Sequence, residues 1–259
     1  MKINEYAPGI PCWVDLGSPD VAVAKEFYGA LFGWTPQPSP PEAGGYTIFH
    51  LGDDPVAAVG PLMGEGQPPA WSWYAAVADA DETARKVEAA GGKVLMAPFD
   101  VMDAGRMAVF LDAGGTPFSV WQAQSFPGAK VVTEPGAFAW NELMTRDPDA
   151  AAEFYGRALG WTAEAAPSPD VPYTLFQVDG RSIAGMMAMV GDMWPADLPD
   201  HWMVYFAVED CDASAARIRE LGGTVSVGPT DAPGVGRFAI AGDPAGAHFA
   251  VIALTAPVA

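Results

Sequence analysis

The chain has 259 residues, half of them apolar, with 32 acids against 13 bases and a net charge of −19. A surface this negative repels phosphate backbones and anionic lipid headgroups, and no basic run breaks the pattern, so neither nucleic acid nor a membrane is an expected partner. No apolar run approaches the roughly 18 residues of a membrane span, and the opening MKINEYAPGIPC lacks a signal-peptide core, so the expected location is the cytoplasm.

The stretch CWVDLGS alternates as a strand, with Cys12, Val14 and Leu16 on one face and Trp13 and Asp15 on the other. Asp20 is placed to cap a following helix whose apolar stripe is Ala24, Phe27 and Leu31 and which ends at FGW. A Pro-rich turn leads to YTIFHL and PVAAVGPLM, both read as strands. WSWYAAVAD opens a second unit, ADETARKVEAAGG is a helix closed by a glycine pair, and RMAVFLDAGGTPFSVWQ is a strand hairpin. The two cysteines, Cys12 and Cys211, form no disulfide or zinc pattern and read as small packed residues.

Everything then recurs in order as FAWNELMTRD, PDAAAEFYGRALGW, YTLFQVDG, IAGMMAMV, HWMVYFAVED, CDASAARIRELGG and RFAIAGDPAGAHFAVIAL. EFYGALFGW at 26–34 returns as EFYGRALGW at 153–161, a period of 127 residues that marks an internal duplication. The expected domains are 1–125 and 136–259, joined by a Gly- and Pro-rich linker at 126–135.

The order of elements, the strands ending near Asp20 and Asp147, the FYG…GW pair and the DAGG or DPAG tails resemble the vicinal oxygen chelate superfamily. That group includes glyoxalase I, bleomycin-resistance proteins and extradiol dioxygenases, and the tandem form is similar to actinobacterial two-domain, hydroxylase-like members. The resemblance implies an α+β fold of four βαβββ modules, arranged as two glyoxalase-like domains, each with a curved sheet forming a cup around a ligand. Internal duplication supplies the pairing that single-domain relatives obtain by dimerising, so a monomer is expected, with a homodimer as the alternative.

Metal-bearing members of the superfamily take His, Gln or Glu ligands from the first and last strands of the modules. Laid over this chain, those places hold Trp13 and Trp140, Ser72 and Met203, and Ser119 and Ala250, while PVAAVGPLM and IAGMMAMV contain no acid and no histidine. Aromatic rings cannot replace imidazole or carboxylate, so no metal and no other cofactor is expected. One rival remains: His201 and His248 fall on the same strand face as the expected ligand positions and, with Glu142, would make a two-histidine, one-carboxylate set in the second half alone. Ala70 and Pro117 stand at those places in the first half. Against it, His201 and His248 read equally as solvated or hydrogen-bonded residues at strand starts.

Alternation aims Trp13, Asp15, Tyr74, Ser119 and Trp121 into the first cup, and Trp140, Glu142, His201, Met203, Tyr205 and His248 into the second. In this reading Asp15 or Glu142 is a general base, Tyr74 or Tyr205 donates to a developing oxyanion, and the others bind the ligand by stacking and contact. The structural alternative makes the aromatics core and pairs the two carboxylates with Arg106 and Arg237. The methionines of AGMMAMV and GDMW are candidates for a soft pocket wall or for gap-filling core. GVG at 234–236 reads as a turn, since it lacks the strand–glycine–helix context of a phosphate loop.

The expected function is metal-independent handling of a small aromatic or carbonyl-bearing metabolite by lyase, isomerase or hydroxylase-like chemistry. The alternatives are a non-catalytic protein that sequesters a toxic natural product, and an enzyme with one metal site in the C-terminal half.

Overall fold

The computed structural model describes residues 2–64, 66–166, 172–192 and 194–255. The first half runs β1 (Pro11–Ser18), α1 (Val21–Phe32), β2 (Thr35–Pro38), β3 (Thr47–Leu51), β4 (Asp54–Pro61), β5 (Ala70–Ala76), α2 (Ala80–Ala89), β6 (Lys93–Val101), β7 (Gly105–Leu111) and β8 (Pro117–Ala123). The second half repeats it as β9 (Phe138–Thr145), α3 (Pro148–Leu159), β10 (Thr162–Ala166), β11 (Tyr173–Val178), β12 (Arg181–Ala188), β13 (His201–Ala207), α4 (Cys211–Glu220), β14 (Thr224–Ala232), β15 (Gly236–Gly242) and β16 (His248–Leu254). Each half forms one open eight-stranded sheet, ordered β2-β3-β4-β1-β5-β8-β7-β6 and β10-β11-β12-β9-β13-β16-β15-β14. Two βαβββ modules therefore meet along the antiparallel β1–β5 and β9–β13 seams.

Local chemistry sets the helix ends. Asp20 caps α1 through the amides of Ala22 and Val23, and Asp147 caps α3 through that of Ala150. Gly33 and Gly160 close the same helices in the left-handed region, at φ of 74° and 75°. The segment read as a Pro-rich turn contains β2, an edge strand, where a missing amide costs no ladder bond.

Strand alternation divides each sheet into two faces. Val14, Leu16, Trp71 and Trp73 of the first sheet join Leu143, Val204 and Phe206 of the second in one buried core, which the inner helix faces complete. The sheets approach at β5 and β13, while α1 packs on α4 and α2 on α3. The α1 stripe is centred on Tyr28 and Phe32, both buried, while the expected Leu31 is only partly covered. Cys12 also departs from expectation: a register shift between Pro11 and Trp13 turns it away from Val14 and Leu16 and into the first cup's cluster.

The repeated motif joins the halves. The Tyr28 hydroxyl donates to Asp243 (3.2 Å) and accepts from the Trp71 indole (2.9 Å). Tyr155 does the same with Asp112 (3.0 Å) and Trp202 (2.8 Å). Trp34 and Trp161 donate across to the carbonyls of Gly136 (2.6 Å) and Gly9 (2.8 Å). FYG, GW and the DAGG or DPAG turns thus form a reciprocal clasp, in which each half completes the other's buried hydrogen bonds.

Candidate functional site

The outer strand faces carry the cups. In the first, register sets Asp15 beside Ala58 and Ser72, Trp13 beside Tyr74, and Tyr74 beside Ser119. The Trp13 indole donates to the Tyr46 hydroxyl (3.0 Å), Tyr46 donates to Asp15 Oδ2 (3.0 Å), and Tyr74 donates to the same oxygen (2.8 Å). In the second, Glu142 lies beside Gly185 and Met203, and Tyr205 beside Trp140 and Ala250. Trp140 donates to Tyr173 (3.2 Å) and Tyr205 to Glu142 Oε2 (2.6 Å), and Tyr173 lies near enough to the carboxylate to influence its protonation. One Trp–Tyr–carboxylate–Tyr constellation is therefore built twice.

Burial pushes the Asp15 carboxyl up to about 6, with the Tyr74 and Tyr46 hydrogen bonds opposing the shift. Burial likewise raises Glu142, against the bonds from Tyr205 and Tyr173. The phenols Tyr46, Tyr74, Tyr173 and Tyr205 are raised by burial and then by the adjacent carboxylate, so they remain protonated donors. Each cup thus holds a buried carboxylate raised above its ordinary range, surrounded by fixed donors.

The structure brings Trp13, Asp15, Tyr74, Ser119 and Trp121 together in the first cup, and Trp140, Glu142, Met203 and Tyr205 in the second. It does not bring His201 and His248 to Glu142. His201 pairs with Met144, one cup-facing step beyond Glu142, and its Nδ1 meets the Pro199 carbonyl (2.9 Å). His248 is exposed at the start of β16, opposite Gly242. Alternation gave both the correct face, but they sit at the rim. Arg106 pairs with Asp81 and Asp100, and Arg237 with Asp212 and Asp231, so neither neutralises a cup carboxylate. Of the methionines, Met189 and Met203 join the second cup's cluster and Met186 the inter-sheet core, while Met193 lies outside the described residues.

Tyr46 and Tyr173 are functional candidates that reading the sequence missed. Both stand in the pair YT at equivalent repeat positions, Tyr46 just before β3 and Tyr173 at the start of β11, which is the signal that marks them. Gly185 makes room for one of them: a Cβ there would collide with the Tyr173 hydroxyl and crowd the Trp140 indole nitrogen.

The positions at which the resemblance implies metal ligands hold indole, hydroxyl, thioether and methyl groups, and the nearby phenols are held protonated. A divalent ion needs three or four converging N, O or S ligands, and among the described residues no three His, Cys, Asp or Glu side chains are grouped to supply them. The residues do not fit a chelated metal. A cleft of about 250 Å³ lies at the seam between halves, lined by Gly9, Asp79, Lys86 and Arg157, and is remote from both carboxylates. We place the chemistry at the cups, where the convergent polar groups and raised carboxyls are. No helix among the described residues is long and apolar enough to cross a membrane.

The sequence profile described as Glyoxalase/Bleomycin resistance protein/Dioxygenase superfamily matches residues 11–120 and again 137–251. A putative glyoxylase, CFP32, of Mycobacterium tuberculosis (strain CDC 1551 / Oshkosh) is 41% identical over 259 residues, covering 97% of each chain. The anthracycline biosynthesis protein DnrV of Streptomyces peucetius is 42% identical over 269 residues, covering 97% of this chain and 96% of that one. Among solved structures, the 2,3-dioxygenase LapB from Pseudomonas sp. KL28 superposes with a TM-score of 0.67 at 13% identity, covering 96% of this chain and 93% of that one. The Mn(II)-bound glyoxalase from Novosphingobium aromaticivorans gives 0.67 at 18% identity, covering 95% and 82%. At such identities the structural likeness concerns the fold alone.

Proposed function

The chain belongs to the glyoxalase, bleomycin-resistance protein and dioxygenase superfamily, and on that premise we propose that it binds and transforms a small planar aromatic or carbonyl-bearing metabolite without a chelated metal. The observation that carries this reading is the Trp–Tyr–carboxylate–Tyr constellation in both cups, at the places where the superfamily resemblance implies metal ligands. Indole and phenol faces offer flat apolar area for stacking, and a carboxylate titrating near 6 is matched to general-base work at neutral pH. A base that takes a proton from carbon beside a carbonyl leaves an enolate oxygen. The tyrosine O–H, no longer held by a charged carboxylate, is then free to turn toward that oxygen. An anthracycline is a planar, quinone-bearing aromatic, and the compound class named for the Streptomyces relatives has the shape and polarity this constellation suits.

Equilibrium dialysis against 1-tetralone, an aromatic ketone with C–H beside its carbonyl, followed by mass analysis of the compound recovered from D₂O, tests the reading. Saturable binding with catalysed exchange of that C–H for deuterium, and a loss of about 10²- to 10⁴-fold in the exchange rate for Glu142→Gln or Asp15→Asn with binding retained, is the expected result. Undiminished turnover in both variants would remove the carboxylates from the chemistry. Binding without turnover is a second reading, favoured by the hydrogen bonds themselves: each carboxylate already holds a phenolic donor, and Asp15 holds two, which suits a preorganised recognition surface. Unchanged compound recovered from saturable binding would select it.

A further inference from the structure

The two cups differ at their covers. In the first, the ring of Phe126 stands edge-on to Trp13 at 4.9 Å, and its carbonyl accepts the Trp121 indole N–H (2.8 Å). Trp13 and Trp121 keep only 5% and 8% of their surface. The second cup's Trp140 is only half-buried, and Trp194 and Leu198, from the connection between β12 and β13, pack on that cup's cluster. This connection spans twelve residues (189–200), against eight (62–69) in the first half.

The longer connection is fastened by groups specific to the second half. Arg146, where the repeat has Pro19, donates to the carbonyls of Pro195 (2.7 Å) and Leu198 (3.3 Å). Asp200 accepts from the Thr145 hydroxyl (2.5 Å) and the Arg146 amide (3.2 Å). The fastening holds Trp194 over the cup. Its indole N–H is sealed from solvent and has no partner among the described residues. Trp13, Trp121 and Trp140, by contrast, all have theirs bonded, to Tyr46, Phe126 and Tyr173. A buried donor without an acceptor is a standing cost that a partner from outside the chain would relieve.

We infer that Trp194 is a ligand-binding residue of the second cup, donating its indole N–H to a carbonyl or phenol oxygen of a planar aromatic held beside Trp140. The inference rests on the proposed ligand class and adds which residue of the second cup selects an oxygen-bearing ring.

The test is equilibrium dialysis of the full chain against 1,4-dihydroxyanthraquinone, read by the quinone's visible absorbance so that loss of a tryptophan does not alter the signal. The parent is expected to bind the quinone saturably. Trp194→Phe, which keeps a ring but removes the donor, is expected to bind about three- to tenfold more weakly. Equal affinity in Trp194→Phe and the parent would overturn the inference while leaving the ligand class standing. A parent that binds no quinone would overturn both. Should Trp194→Phe fail to fold, Arg146→Ala, which loosens the connection from outside the cup, carries the test: weakened binding supports the inference and unchanged binding overturns it.

Discussion

The Tyr205 hydroxyl stands 2.6 Å from Glu142 Oε2, a short donor–carboxylate contact formed across the β13–β9 pairing. It offsets part of the burial that raises the Glu142 carboxyl. Tyr205→Phe is therefore expected to raise that carboxyl further and to cost about 1–3 kcal/mol of stability. A ¹³C carboxyl titration of Glu142 in parent and variant checks it, and superimposable curves would contradict the relationship.

Asp15 gives the protein a pH dependence of defined sign. Its folded value of about 6 lies above the ordinary 3.8, so between those limits the folded state binds more protons than the unfolded. The contribution is therefore most favourable at acid pH and is lost as pH rises through 6, by up to about 3 kcal/mol. Asp15→Asn should be at least as stable as the parent at pH 7.5 and should flatten the curve between pH 4 and 7. Urea unfolding at several pH values measures this, and an unchanged slope in the variant would contradict it.

The clasp between halves predicts matched losses. Tyr28→Phe strands the Trp71 N–H and removes a bond to Asp243, while Tyr155→Phe does the same to Trp202 and Asp112. Each should cost about 1–3 kcal/mol. Thermal unfolding reads the change, and a loss below about 0.5 kcal/mol in both would mean the clasp is incidental.

Gly185→Ala should disturb the second cup selectively. The added methyl displaces Tyr173 and Trp140, and overpacking of this kind costs about 1–3 kcal/mol. The indole N–H resonance of Trp140 should move while that of Trp13 stays in place. A fixed Trp140 resonance would show that the site relaxes without loss.

The division of residues between cup and core was legible because strand alternation is local: Trp13, Asp15 and Tyr74, with Trp140, Glu142 and Tyr205, needed only a period of two and the repeat. Depth along a strand was not. His201 and His248 had the right face but lie at the rim, because register is fixed by pairing with strands distant in sequence. The same non-locality hid Tyr28, whose partner Asp243 lies 215 residues away, and Tyr46 and Tyr173, which approach the carboxylates from two strands away, at the starts of β3 and β11. Arg106 and Arg237 were recognisable as equivalents, yet nothing local told that Asp81 and Asp212 would take them.

On the proposed reading a tryptophan, tyrosine and carboxylate set stands in place of a chelating centre. Elemental analysis of tag-free protein for Mg, Mn, Fe, Ni and Zn, before and after incubation with excess of each ion and removal of the unbound excess, tests this. Well under 0.1 ion per chain is expected in both samples, on the order expected of a site with one carboxylate and no converging ligands. A content near one per chain would contradict it and return the second cup to metal-dependent chemistry.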